Sequence, residues 1–246
     1  MRKIDVIIQK EVIAEYDLTG CTAVVIDVFL ATSTIAFLLE KNYSSVYAKE
    51  NIKRAKEFAN ALQEDVLLLG EVNGHPVDGF VYPDPNIIEK AEKPIPAIFS
   101  STNGTVAIEQ SKLAKNLYTS SLVNGHVISR WIHEKNDQSN IVIVCSGNAG
   151  GFSLEDFIGA GQVVEHLINQ GEYELSDAAK VALDTYQDSK LIQFKNLYEG
   201  RTYKLLASKN MEDSVDLILE NMEKVNVLPK YESGKIIDLL KQENLV

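Results

Sequence analysis

Asp27 closes one apolar run of the chain, Glu71 follows a second, and Glu155-Asp156 open a helical pattern just after a third. Carboxylates delivered from separate strand ends are hard oxygen donors. Mg²⁺ takes one or two such acids and fills its other positions with water and substrate phosphate. Asp27, Glu71 and Asp156 are therefore a candidate metal and catalytic set. The alternative for Asp27 and Asp156 is that they cap helices or bind backbone amides.

Three turns rich in hydroxyl, amide and glycine residues stand beside these acids. AVVIDVFLATST (23–34) contributes Thr32 and Ser33, and AIFSSTNGTVA (97–107) contributes Ser101, Thr102, Asn103, Gly104 and Thr105. IVIVCSGNAGGFSLEDF (141–157) contributes Ser146, Gly147 and Asn148. Each turn passes from a β-prone run into a helical pattern, so it offers unpaired N–H groups to an anion. An ordinary N-cap and turn would use the same residue types. Three in one chain point to loops meeting at the carboxyl edge of a sheet, around a small oxyanion ligand.

The elements that must carry these loops are legible as short β-branched runs at 3–8, 22–28, 45–48, 66–69, 97–100, 116–120, 141–145 and 225–228. Helical spacing alternates with them, as at Ile52, Ala55, Ala59 and Leu62 and again from Leu154 to Leu167. The pattern predicts one α/β domain over 1–246: a three-layer α/β/α fold on a mainly parallel or mixed sheet, with 172–223 a C-terminal helical arm or lid. The loop GEVNGHPVDGFVYPDPN (70–86) reads as irregular, beside the same edge.

Other chemistry is excluded or secondary. There is no GxxxxGK[ST], no GxSxG, no GxGxxG and no DxDx[TV]. Cys145 reads as a buried thiol at a strand end, and His126, His133 and His166 as surface or packing residues. His75, close to Glu71, is a candidate general acid or base. Two cysteines without ligand spacing fit a reducing cytoplasm. No signal peptide and no membrane span are expected. The net charge of −11 argues against nucleic acid and anionic membranes as partners. A homodimer is expected from size alone.

Assembled in order, VVIDVFLATST, LLLGEVNG, SSTNGTVA, IVCSGNAGGFSLEDFIGAG, LSDAA, NLYEGRTYKLL and VNVLPKY make the chain resemble the Mg²⁺-dependent 2-phosphosulfolactate phosphatase family. The resemblance implies an α/β/α fold and hydrolysis of a phosphomonoester of a sulfonated lactate. It also implies a metal held by acids, with Asp27, Glu71 and Asp156 the matching positions. Arg201 matches a Gly-Arg segment of the family, and Lys204 lies one turn on. The chain departs at Leu30 and Val72, where the family carries arginines, and along 79–86.

Residues 21–40, 61–89, 94–111 and 136–179 contain no Lys or Arg. A phosphate with a sulfonate and a carboxylate carries about four negative charges, so those loops alone cannot neutralise it. Two readings follow. One is a Mg²⁺-dependent phosphatase acting on that anionic substrate. The other is a family member with impaired catalysis, either binding a small molecule or using a less anionic substrate.

Overall fold

Every residue of 22–26 and of 141–145 is buried, as strands covered on both faces must be. The computed structural model describes residues 1–62, 64–89 and 91–243. Its strands are β1 (Arg2–Ile7), β2 (Thr22–Ile26), β3 (Val46–Ala48), β4 (Leu67–Val72), β5 (His75–Pro76), β6 (Ala97–Ser100) and β7 (Asn116–Ser120). The rest are β8 (Ile141–Cys145), β9 (Tyr173–Leu175), β10 (Pro229–Glu232) and β11 (Lys235–Asp238). The helices are α1 (Ala31–Glu40), α2 (Ile52–Leu62), α3 (Gly104–Ser111), α4 (Gly125–Lys135), α5 (Leu154–Ile168), α6 (Asp177–Leu191), α7 (Arg201–Ala207), α8 (Glu212–Glu220) and α9 (Leu239–Glu243).

The strands form one sheet in the order β5-β4-β6-β3-β11-β10-β7-β2-β8-β1-β9. Helices α4, α5 and α6 pack together over β7, β2, β8 and β1, while α1, α2 and α3 pack on β2, β3, β6 and β7. The α/β/α layering expected from the sequence is therefore present.

Two features differ from expectation. Val225, Val227 and Leu228 are buried, but 225–228 forms no strand; the chain instead makes a β10–β11 hairpin, turned at Ser233-Gly234 where both φ angles are positive (52° and 86°). That hairpin enters the middle of the sheet and is antiparallel to β7 on one side and to β3 on the other. Three successive antiparallel steps leave the parallel block β4-β6-β3 running opposite to the parallel block β7-β2-β8-β1-β9. There is no single carboxyl edge. Neighbouring strands rotate by about 20–25°, so the five steps from β6 to β2 turn the sheet by roughly 100°. That rotation brings toward each other loop ends that a flat sheet would point apart.

The second difference lies in 70–86, which is partly regular. β4 runs on through Glu71 and Val72, and Asn73-Gly74, both at positive φ (51° and 72°), return the chain as β5. An Asn-Gly pair between strand residues is the strongest short hairpin signal a sequence carries.

Residues 172–223 supply α6, α7 and α8 as expected, plus the edge strand β9. The arm begins by clasping α5. A methyl group on Gly161 would lie 2.0 Å from the Ala182 carbonyl oxygen and 2.6 Å from Cβ of Tyr186. Gly161→Ala is therefore expected to push α5 and α6 apart and cost about 2–3 kcal/mol. Urea denaturation measures this, and a variant as stable as wild type would contradict that close approach.

Candidate active site

The loop after β2 is locked from within. The Thr32 hydroxyl donates to Asp27 O (2.8 Å) and accepts from Asp27 N (2.9 Å), and the Ser33 hydroxyl donates to Val28 O (2.7 Å). This holds the Asp27 carboxylate, 7% exposed, at the mouth of α1. Its partners are the backbone amides of Ala31 (3.4 Å) and Gly104. A Cβ at Gly104 would sit 2.7 Å from Asp27 Oδ2 and 2.5 Å from Cβ of Ala31, so only glycine lets the β6 loop reach this acid.

That β6 loop is self-tied: Thr105 donates to Ser101 through both its amide and its hydroxyl, and accepts from the Ser101 amide. It also grips the hairpin. The amide of Thr102 donates to Glu71 Oε1 (2.5 Å), while its hydroxyl (3.0 Å) and the Gly74 amide (2.5 Å) donate to Oε2. Asp156 likewise is taken up by backbone: Oδ1 accepts from Val28 N (2.9 Å) and Oδ2 from Gly147 N (3.0 Å). The amide-binding role open to Asp156 from sequence is the one observed.

These loops enclose a cleft of about 380 Å³, roofed by α7 and the turn after it. Of the residues singled out in the sequence, Asp27, Glu71, Asp156, Arg201, Ser101, Thr102, Asn103, Gly147 and Asn148 line it. Thr32, Ser33, Gly104, Thr105 and Ser146 lie behind the wall, where the Thr and Ser33 hydroxyls serve the loops themselves. The exposed His75 and Lys204 are not on the wall, nor is Val72, 47% exposed. Cys145 is fully buried, its thiol pushed up by that burial and by Asp156 and Glu155.

Two residues go beyond those named in the sequence, and Glu155, named there beside Asp156, takes a larger part than its neighbour. Glu155 is 4% exposed on the cleft wall, and its carboxylate has no hydrogen bond or ion pair among the described residues. Lys209, three residues past the end of the NLYEGRTYKLL motif around Arg201, reaches the wall and donates to the Gly74 carbonyl. The buried Lys10, from the turn after β1, donates to Asn103 Oδ1 (2.8 Å) and pairs with Glu11 (2.5 Å). Asn103 Oδ1 also accepts the Ala149 amide (3.4 Å), so Lys10 ties two of the anion-type turns together. The cations that the loop sequences lack come from other parts of the chain.

Four acids on one wall leave a strongly negative floor. Burial pushes the Asp27 carboxyl up to about 7, with Glu155 and Glu71 adding to it. Asp156 is raised by burial, then by Asp27 and Glu155, against the pull of its two amides. Among the described residues, no three His, Cys, Asp or Glu side chains stand close enough to enclose an ion by themselves. Such a floor suits a cation that keeps water and substrate among its ligands. Asp27 and Glu155 have the most lone pairs to spare.

The family described as 2-phosphosulpholactate phosphatase matches residues 7–234. The chain belongs to that family. A protein of Clostridium perfringens (strain SM101), named "Probable 2-phosphosulfolactate phosphatase", is 32% identical over 240 residues, covering 95% of each chain. Proteins of the same name from Clostridium acetobutylicum (31% identity, 96% of this chain, 100% of the relative) and Clostridium beijerinckii (30%, 95% and 98%) are similarly close. The family resemblance read from the motifs holds, and the three motif turns of this 2-phosphosulpholactate phosphatase family member supply much of the cleft wall. No helix among the described residues is long and apolar enough to cross a membrane.

Proposed function

We propose that this protein is a magnesium-dependent phosphomonoester hydrolase converting 2-phosphosulfolactate and water to sulfolactate and phosphate. The observation that carries the reading is the enclosed acid floor, where Asp27 and the unpartnered Glu155 meet hydroxyl- and amide-rich turns under a cationic roof. The names of the relatives support the substrate.

The donor set fits the ion: hard carboxylate oxygens and, among the described residues, no thiolate or imidazole on the wall and too few acids in reach to exclude water. Asp27 and Glu155 would hold it, with Glu71 beside them and Asp156 tying the Asp27 loop to the 146–148 turn. When bound, magnesium supplies Lewis-acid polarisation of the phosphoryl group and a more acidic water. The chain's own part is positioning. Asn103 and Asn148 line the cleft with side-chain N–H groups for phosphoryl oxygens, where charge develops during transfer, while Thr102 spends its amide and hydroxyl on holding Glu71. Arg201 and Lys209 bring positive charge from the roof. The Thr202 hydroxyl accepts from Asn148 Nδ2 (2.8 Å) and so couples that roof to the turn below.

Phosphate release from 2-phosphosulfolactate tests the reading. Turnover is expected with Mg²⁺ and should fall more than about 100-fold in chelator. No release, or release indifferent to chelator, would sink it.

A further inference from the structure

The cleft has a second wall that the acids and turns do not use. Leu30, Tyr82, Leu205 and Leu206 face the same enclosed space, together with Phe29 and Phe99. Leu30 is 7% exposed and Leu205 42%, so one is the packed back of this wall and the other its outer lip. The Tyr82 hydroxyl is already spent on the Gly74 carbonyl (3.2 Å), which leaves its ring as the contribution to the surface. Among the described residues, the cations lining the cleft are Arg201 and Lys209, and Lys209 already donates to Gly74.

A phosphate dianion would draw on both cations and on the turn amides. The carboxylate beside it would take what donors remain, and a third anion on the same substrate would have to sit against leucine and aromatic carbon. Taking it out of water without donors is unfavourable, whereas an alkyl group in that place is favoured. Pockets set specificity in this way, by what their few polar groups can and cannot satisfy.

We infer that the ester this cleft selects is a phosphomonoester of a small hydroxy acid bearing an alkyl group in place of a sulfonate. The inference rests on the phosphomonoester hydrolysis of the phosphatase reading and ranks 2-phosphosulfolactate below its alkyl counterparts as a substrate. The reaction is ordinary hydrolysis. The water oxygen bonds to phosphorus, the ester P–O bond breaks, the departing oxygen takes a proton to become the alcohol, and inorganic phosphate leaves.

The test compares substrates that differ at one group, using the full-length protein with Mg²⁺: 2-phospholactate, its longer-chain analogue 2-phosphooxy-4-methylpentanoate, and 2-phosphosulfolactate. The alkyl esters are expected to show kcat/KM higher by about tenfold or more. Leu30→Arg and Leu205→Arg should each shift that ratio toward the sulfonated ester by about tenfold. Leu205→Arg changes an exposed position, so it remains informative if the buried substitution fails to fold. Equal or faster turnover of 2-phosphosulfolactate by wild type overturns the inference and leaves the phosphatase reading standing. An unchanged ratio in a folded Leu205→Arg protein also overturns it. Failure to hydrolyse any of the three esters overturns both.

Discussion

Asp27→Asn is expected to lower kcat/KM by more than about 100-fold while raising the melting temperature in chelator at pH 8. The two effects have one cause. Asp27 is a buried acid whose neighbours on the wall include Glu155 and Glu71, and nothing among its hydrogen bonds except two amides favours its charge. Holding the anion there, with the carboxyl raised from 3.8 to about 7, costs about 4 kcal/mol at pH 8. Asparagine removes that cost. It leaves one amide, of Ala31 or Gly104, without an acceptor, worth about 1–3 kcal/mol, so stability should still rise. Turnover should collapse, because the strained anion is what would draw a divalent cation into the cleft. Phosphate release and thermal melts on the same preparations decide the matter. Near-wild-type turnover, or a lower melting temperature in the variant, would show that Asp27 is not the stressed acid at the centre of the site.

The parts of this site that sequence conveyed are those set by local chemistry. A continuous apolar run such as Thr22–Ile26 can only be a covered strand, and the residues following it can only be a strand-end loop. Hence Asp27, the 101–105 turn and the 146–148 turn were recognisable. Which atoms of those turns face the ligand was not recognisable, because Thr32, Ser33 and Thr105 satisfy their own backbone once the loop closes. Glu155 and Asp156 are adjacent acids in one helix N-terminus. Their division of labour depends on Val28 and Gly147 arriving from other loops. Lys10 and Lys209 reach the site from the two ends of the chain. The β10–β11 hairpin hid for another reason: KYESGKIID has mixed polarity, and its place in the sheet is set by pairing with β7 and β3, not by its own composition. Its Ser-Gly turn, like the Asn-Gly turn at 73–74, was the one local signal available.

With metal removed, the protein is expected to lose stability as pH rises from about 4 to about 7, the reverse of the usual acid-denaturation limb. A carboxyl whose folded pKa lies above its unfolded value keeps its proton longer in the folded state. The unfolded chain therefore binds fewer protons across that window, and stability falls as pH climbs through it. Asp27 and Asp156 both act in this sense. Asp137 and Glu223, held low by hydrogen bonds accepted from Ser139 and from His166 respectively, lend stability that is lost only below their ordinary values, near 3.8 and 4.5. They do not slope the curve above pH 5. His126 opposes the acids, since burial lowers its pKa and neutral imidazole gains as pH approaches 6.5. It is half-buried where the two acids are fully buried, so the acids should prevail. Saturating Mg²⁺ should flatten or invert the slope, because an ion that binds the folded state through Asp27 favours the deprotonated form. Urea denaturation at pH 5 and pH 8, with chelator and with Mg²⁺, separates the cases. Stability that climbs from pH 5 to 8 in chelator would mean the acid floor is already compensated by the chain itself. A cation would then have no electrostatic reason to bind there.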